Sequence, residues 1–553
     1  MGVSSISQCF AVLVLGALLC SCAPKQAPRP ITPPTTVDLG PSGGEWVRAL
    51  SWQFKELDGP KNDLETQLSD AFLRTIEGAS SSPEYDCVAR EMAAFYARYR
   101  ASPDELLRRW MVGRCKAPDV FYWNSWLDIY LNGGAISVPF TAPELDAVVP
   151  KLITPHPPPK VTSFGVAMRA VDADAVAILI TADPPGTAHA SVPDAQGALR
   201  IEIGFPQSQY TVRAVMNQGE TASVNCQSDP TTDPSRYAFS CQMAASDNEA
   251  WIEVLAATNR GDLERPTVDI LAERPAATHA DYRKPYVVLP PAANTADALL
   301  AGINGIRARA GAAPLRLATA QSRAVQEIQK AIFQIQADMD DDADNQVRTE
   351  LLRGRAVDAP IFSARITLGI AYKGDAGDWL AARMVQPSSR ETLMDPDADL
   401  LALATHGDPR LGFAVSAATY TLFDEKTEQR IADLMAARIT KARGKLKMTR
   451  LTPTPDLSAV AGQVAAGAVD PARGFRAALT RMNLKSKQYF AGELYVLNSA
   501  NDAPQFDEEV LQRPGLEYGL LVTHYKRPTD DWHHPVVFIW YATDRPKDPN
   551  PTL

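Results

Sequence analysis

The sequence predicts an α+β chain of several domains, and three observations carry that expectation. Apolar residues recur at helical spacing over residues 43–153, and the period then switches to two over 160–273. The stretch 296–328 (ADALLAGINGIRARAGAAPLRLATAQSRAVQEI) returns in altered form at 432–464 (ADLMAARITKARGKLKMTRLTPTPDLSAVAGQV). Each copy reads as a helix, a Gly-marked break with a basic flank, a short Leu-ending strand and a second apolar helix. Their spacing, about 135 residues, is too long for a solenoid and fits one small domain used twice, over 292–425 and 426–545, with a tail at 546–553. A chain of 553 residues has room for three or four such domains.

The first segment, MGVSSISQCFAVLVLGALLCSCAP, reads as processing signal rather than structure. Its apolar core at 10–19 is too short for a bilayer, which takes about 20 residues. The core ends in Leu19-Cys20-Ser21-Cys22, which resembles the bacterial lipobox. That resemblance implies removal of residues 1–21 and lipidation of Cys22, with Cys20, preceded by the bulky Leu19, as the competing site and an ordinary secretory signal as the alternative. Several acyl chains bury enough methylenes to hold a protein on a membrane, where one chain does not. Residues 22–42 follow as a Pro-rich tether; its part at 23–40 reaches roughly 50 Å in an extended polyproline conformation. Ala23 rather than Asp after the lipidated Cys leans toward outer-membrane sorting.

Over 43–153 the pattern predicts a helical module. Ser102-Pro103-Asp104-Glu105 forms a capping box with Pro at the first helical position, and Thr141-Ala142-Pro143-Glu144 offers similar chemistry. The aromatics Phe121, Tyr122, Trp123, Trp126 and Tyr130 are expected to fill its core. TPHPPPK at 154–160 is a linker. Beyond it, candidate strands lie at 164–170, 175–181, 199–205, 210–215, 222–226, 237–243, 251–256 and 267–271. Asp183-Pro184-Pro185-Gly186 and Asn217-Gln218-Gly219 mark turns between them. Short strands at this spacing predict an immunoglobulin-like β-sandwich over 160–273. Residues 275–291 read as a further connector.

Apart from the lipidated Cys22, the cysteines left after processing are Cys87, Cys115, Cys226 and Cys241, an even number in an exported chain. Three pairings exist in principle. The local bridges, Cys87 with Cys115 and Cys226 with Cys241, each stay within one expected domain and contribute roughly 3 to 3.5 kcal/mol in the chain-entropy view. No histidine lies near either pair, so disulfides are preferred to a metal site. Net charge is −10, and no basic run is present, which argues against nucleic acid.

In the first of the two related blocks, Asn304-Gly305-Ile306-Arg307, Gly311 and Pro314-Leu315 occur in order. Gln386-Pro387-Ser388-Ser389-Arg390 and Leu393-Met394-Asp395-Pro396 follow, then Leu411-Gly412-Phe413-Ala414-Val415 and a strand at 420–423. Together these resemble the CAP or SCP-like domain of cysteine-rich secretory, antigen and pathogenesis-related proteins, over 293–424. The second block is similar mainly through the first. Phe506-Asp507-Glu508-Glu509-Val510-Leu511 and the segments 516–522 and 536–541 stand where a late helix and closing strands belong. The resemblance implies two α/β/α sandwich domains, the second closing with a hairpin like the first.

The family often lines a central cleft with two His and two Glu that bind a divalent metal. At those places this chain has Ile328 and Val464 for the first His, Ser389 and Phe506 for the second, and Ala364-Arg365-Ile366 for a Glu-Asn-Ile segment. Apolar side chains do not coordinate zinc, so no metal, cofactor or catalytic set is expected. Asp338, Asp340, Asp342 and Asp344 lack the Gly and Glu of a calcium loop and read as a solvated acidic loop. Asp530-Asp531-Trp532-His533-His534 reads as a hairpin tip, and His524 and Tyr525 as strand residues. No nucleophile elbow, Walker loop or His-Glu-x-x-His occurs.

The chain is therefore expected to be exported, lipid-anchored at the cell envelope, and engaged in non-catalytic binding or adhesion with an envelope protein or polysaccharide. The alternatives are a hydrolase with a rebuilt cleft around His524, His533 and Glu508 or Glu509, and a structural protein contacting peptidoglycan or an outer-membrane partner.

Overall fold

The computed structural model describes residues 37–42, 45–52, 61–76, 78–99, 103, 105–117, 122–130, 149, 161–171, 174–184, 186–209, 211–219, 223–245, 247, 249–257, 264–274, 282–288, 295–336, 341–372, 375–408, 412–443, 449–497, 517–527 and 533–544. The signal segment, Cys22, Phe121, the linker at 154–160, the 506–511 segment and the tail at 546–553 lie outside them. Among the described residues the chain is mixed α/β, built from helices and several small sheets, with no barrel.

Three of the sheets share one topology. In each, a short first strand runs parallel to the third, the third pairs antiparallel with the fourth, and the fourth pairs antiparallel with the second. Unit 1 uses Ser80–Ser81, Tyr122–Tyr130, Ser163–Val171 and Asp174–Ala182. Unit 2 uses Arg316–Leu317, Ile361–Tyr372, Leu400–Asp408 and Gly412–Leu422. Unit 3 uses Thr449–Leu451, Gln488–Val496, Glu517–Tyr525 and His534–Asp544.

The helices repeat as well. A first helix precedes the short strand at Asp63–Thr75, Ala296–Arg309 or Glu425–Arg443. Two more follow it: Pro83–Tyr99 and Glu105–Arg114, Thr319–Gln336 and Asp341–Arg353, or Pro455–Ala465 and Pro471–Lys485. The alternation of apolar residues along the long strands puts a core on both sheet faces. In unit 1, Phe164, Val166, Met168, Ala177 and Leu179 meet Leu68 and Phe72 of the first helix, whereas Ala167, Val176, Ile178 and Ile180 meet the other two helices. Units 2 and 3 divide in the same way. All three are helix–sheet–helix layers.

This corrects the expected boundary between a helical module at 43–153 and a sandwich at 160–273. The module contains a strand, Tyr122–Tyr130, and the first two strands assigned to the sandwich pair with it in one sheet. Ser80 pairs with Ser163 across most of unit 1, and such a partnership leaves no local mark in the sequence. The aromatics at 122–130 therefore belong to a strand and not to a helical core.

Two four-stranded sheets form the sandwich that remains. One runs Val224–Asn225, Thr211–Met216, Glu249–Ala257, Arg265–Glu273; the other runs Gln227–Asp229, Arg236–Gln242, Ala198–Gly204, Thr187–Ala190. Leu199, Ile201, Ile203 and Phe239 of one sheet pack on Met216, Ile252, Val254 and Val268 of the other. Cys226 lies where the chain passes from the first sheet to the second, and its bridge to Cys241 closes the hairpin, with Cα atoms 4.6 Å apart. Cys87 bonds Cys115 and staples Pro83–Tyr99 to the end of Glu105–Arg114, with Cα atoms 5.6 Å apart. Both expected disulfides are present.

Three smaller differences follow from pairing. Val37–Ser42, expected as the end of the tether, and Tyr282–Val288, expected as connector, both pair with Glu45–Trp52 in a three-stranded sheet. Asp342 and Asp344 belong to the helix Asp341–Arg353 rather than to a loop, while Asp338 and Asp340 lie outside the described residues. Residues 412–415 and 420–422 are one strand, and the hairpin in unit 2 is made with Leu400–Asp408.

Candidate functional site

The residues that carry the family resemblance meet one another. Asn304 holds the chain at Leu315 from both sides: Nδ2 donates to Leu315 O at 2.9 Å, and Leu315 N donates to Oδ1 at 2.8 Å. Arg307, one turn on, is 0% exposed. It donates to the carbonyls of Ala313 (2.7 Å), Leu393 (2.9 Å) and Asp395 (2.9 Å). Burial lowers its pKa, and Asp395 and Asp399 oppose that shift. The Asn-x-x-Arg pattern thus fixes the break after the first helix against the end of Pro387–Leu393; its work is positional.

Gln386-Pro387-Ser388-Ser389-Arg390 stands where the resemblance implies an open cleft. It is instead packed against the sandwich. Glu253, 0% exposed, accepts from Gln386 Nε2 at 2.8 Å and from Ser388 N at 2.7 Å. Ser389, 3% exposed, donates to Gln386 Oε1 at 2.9 Å and accepts from Thr367 Oγ1 at 2.7 Å. Ser223 Oγ donates to Pro387 O at 2.8 Å, and Arg390 donates to Gly219 O at 2.6 Å. Arg213 bridges Glu264 of the sandwich and Glu391 of unit 2.

Glu253 lies directly opposite Asp269 in the strand register. Two buried carboxylates so placed repel each other. Arg109 of unit 1 reaches both, pairing with Asp269 and standing 3.8 Å from Glu253, and its guanidinium lies over the Trp251 ring. Burial pushes the Asp269 carboxyl up to about 7; Arg109 pulls it down and Glu253 pushes it up again. Trp251 also packs among Trp110 and Ala381, so unit 1, the sandwich and unit 2 meet around this cluster. These groups are enclosed, which makes the junction a structural one.

An open cavity of about 360 Å³ lies between units 2 and 3. Its walls are Arg353, Gly354, Arg355 and the 357–361 loop of unit 2, and Lys526 and His533 of unit 3. Gly354, at φ +54°, ends the helix Asp341–Arg353; a Cβ there would collide with Ile361 and approach Tyr420 Cε1 to 2.9 Å. His533 and His524 are brought together, ring centroids 4.9 Å apart, and Phe423 meets His524 at 4.9 Å. Among the described residues neither Nδ1 has a hydrogen-bond partner. Burial holds His533 down at about 4, with His524, Lys526 and His534 adding to the shift, and burial lowers His524 too.

Glu508, Glu509, Phe506, Asp530, Asp531 and Trp532 lie outside the described residues. Among the described residues no group of three or more His, Cys, Asp or Glu is placed to hold a metal. The inter-unit cavity was not legible in the sequence, since its walls are some 170 residues apart in the chain (Arg355 to Lys526). The run Arg353-Gly354-Arg355 is its one local signal. No protein-family model matches the chain, and no curated protein matches it either.

Proposed function

We propose that this chain is a lipid-anchored envelope protein whose CAP/SCP-like units serve non-catalytic binding. The observation that carries the reading is the packing of Gln386, Ser388 and Ser389 against Glu253: the place where the family presents cleft residues is here a domain contact. The two disulfides fit an oxidising, exported setting. In this reading the anchor is Cys22, at the end of the lipobox-like Leu19-Cys20-Ser21-Cys22.

Two measurements test this. Metabolic labelling with an alkyne palmitate is expected to mark the wild-type chain and not Cys22→Ser, and the variant is expected to leave the membrane fraction. In-cell crosslinking of the lipidated protein, read by mass spectrometry, is expected to return one reproducible envelope partner on units 2 and 3. Unlabelled wild-type chain, or no partner in repeated experiments, would overturn the respective half.

A hydrolase built around His524 and His533 is the second reading, and their 4.9 Å approach favours it. A general base needs an orienting acceptor at hydrogen-bond distance. Its test is esterase and amidase turnover by the ectodomain, lost on His533→Gln.

A further inference from the structure

We infer that the outer face of helix Pro471–Lys485 in unit 3 docks on an anionic lipid bilayer. The helix turns Gly474, Phe475, Ala478 and Met482 inward, and Phe475, Ala478 and Met482 join the core of the unit. Left outside are the cations Arg473, Arg476, Arg481 and Lys485 with the apolar Leu484, and the helix contains no acid. Lys487 follows just beyond its end, exposed as well. Among the described residues Arg481 and Lys485 share Asp456, at 3.8 and 3.1 Å, while Arg473, Arg476 and Lys487 have no ion pair. Solvent-exposed pairs of this kind are weak, and one carboxylate between two cations leaves positive charge over. Asp470 caps the helix by accepting from Arg473 N. Glu517 and Asp544 lie in the sheet beneath the helix, where Gln488 donates to Glu517 at 3.1 Å and stands opposite Asp544.

Helix stability does not account for this pattern. Arg473 stands in the first turn, where the helix dipole disfavours a cation, and no acid stands there to offset it. Arg473 with Arg476, and Arg481 with Lys485, are like charges at helical spacing and repel. In a chain of net charge −10 these cations gather on one helix. They spread over about 18 Å of its length, which suits an extended anionic surface rather than a single phosphate. Leu484, 78% exposed, stands among them. An apolar side chain ringed by Lys and Arg is an interfacial arrangement: the cations meet headgroups while the side chain enters the acyl boundary. A soluble acidic polymer would make no use of Leu484. Leu497 and Tyr518, on either side of residues 498–516, pack with Ile431 and Met435 on the opposite face of the sheet. After Asp544 the sequence continues Arg545-Pro546-Lys547-Asp548, which does not reverse the sign.

The inference deepens the lipid-anchored reading, on which it rests for the presence of a membrane, by giving the body of the chain its own contact with that surface. One such patch without acyl chains binds reversibly and is screened by salt. Cys22→Ser is therefore still expected to leave the membrane fraction at physiological ionic strength. The test sediments this unlipidated chain, with every domain present, on vesicles of phosphatidylcholine alone or with about 30% phosphatidylglycerol, at about 50 and about 150 mM salt. Binding is expected on the phosphatidylglycerol vesicles at the lower salt, with loss at the higher salt and none on phosphatidylcholine. Arg473→Gln with Arg476→Gln is expected to weaken it about 25-fold, near fivefold per charge, and Leu484→Ser about tenfold. These three side chains are exposed, so the variants are expected to keep the wild-type melting temperature. In Leu484→Trp the indole emission is expected to shift to the blue on phosphatidylglycerol vesicles only. Equal binding to both vesicles, binding to neither, or binding unchanged in the double variant or in Leu484→Ser would overturn the inference. Binding to soluble polyglutamate and not to vesicles would overturn it in favour of an acidic polymer. Palmitate labelling reports on Cys22 and vesicle binding of Cys22→Ser on this face, so the two readings fail separately.

Discussion

At the scale of single residues, burial decides what charge can do. Arg307 donates to three carbonyls from inside unit 2, and Arg307→Met would remove that donor from each, leaving Asp395 O only the amide of Ala398. The expected cost is about 3 kcal/mol, read as a lower melting temperature and faster hydrogen exchange in Ala296–Arg309. Asp269 makes a prediction in pH. In the folded chain it holds its proton up to about 7, whereas an unfolded aspartate loses it near about 4. The folded state therefore binds more protons in that window, so this stability is full below about 4 and is lost as pH rises through about 7. Asp269→Asn removes the titration. The wild-type melting temperature is expected to fall more between pH 5 and pH 8 than that of the variant; parallel curves would refute the assignment.

At the scale of elements, close approach sets the layers. Helix Pro83–Tyr99 passes so near strand Ser163–Val171 that a Cβ on Gly165 would meet the backbone of Tyr85 and Asp86. Gly165→Ala is expected to cost more than about 3 kcal/mol, because backbone cannot step aside as a flexible side chain does. The same helix is tied by Cys87 to Cys115. Replacing both by Ser is expected to lose about 3 kcal/mol, seen as early loss of protection in unit 1 during denaturant titration. Sequence reasoning found this helix and this bridge because helical periodicity and cysteine spacing are local. It placed hairpin 163–182 in the wrong domain because a period-two strand looks the same in any sheet.

At the scale of the whole molecule, polar contacts join the parts. Arg213 links the sandwich to unit 2 through Glu264 and Glu391, and Arg365 supports Glu391 at 2.6 Å and Asp395 at 3.2 Å. Arg213→Ala is expected to loosen this docking by about 1 to 2 kcal/mol. The readout is faster hydrogen exchange at Pro387–Leu393, with the sandwich core unchanged. A uniform change across both domains would mean that the contact contributes to folding rather than to docking.

By itself the sequence marked the two local cysteine pairs, six of the eight described strands of the sandwich (missing Thr187–Ala190 and Gln227–Asp229), and the repeat linking residues 296–328 to 432–464. These are periodicities and spacings written within a few tens of residues. It also displayed Asn304 and Arg307, though not their duty as clamps. Only the tertiary structure decided that the unit appears a third time at the N-terminal end, without the Asn-x-x-Arg pattern to mark it. Tertiary structure alone also set Glu253 under Gln386 and Ser388, and placed Lys526 across a cavity from Arg355. Strand partners and domain faces are chosen by burial summed over distant segments, and a linear pattern records that a face is apolar without recording what will cover it.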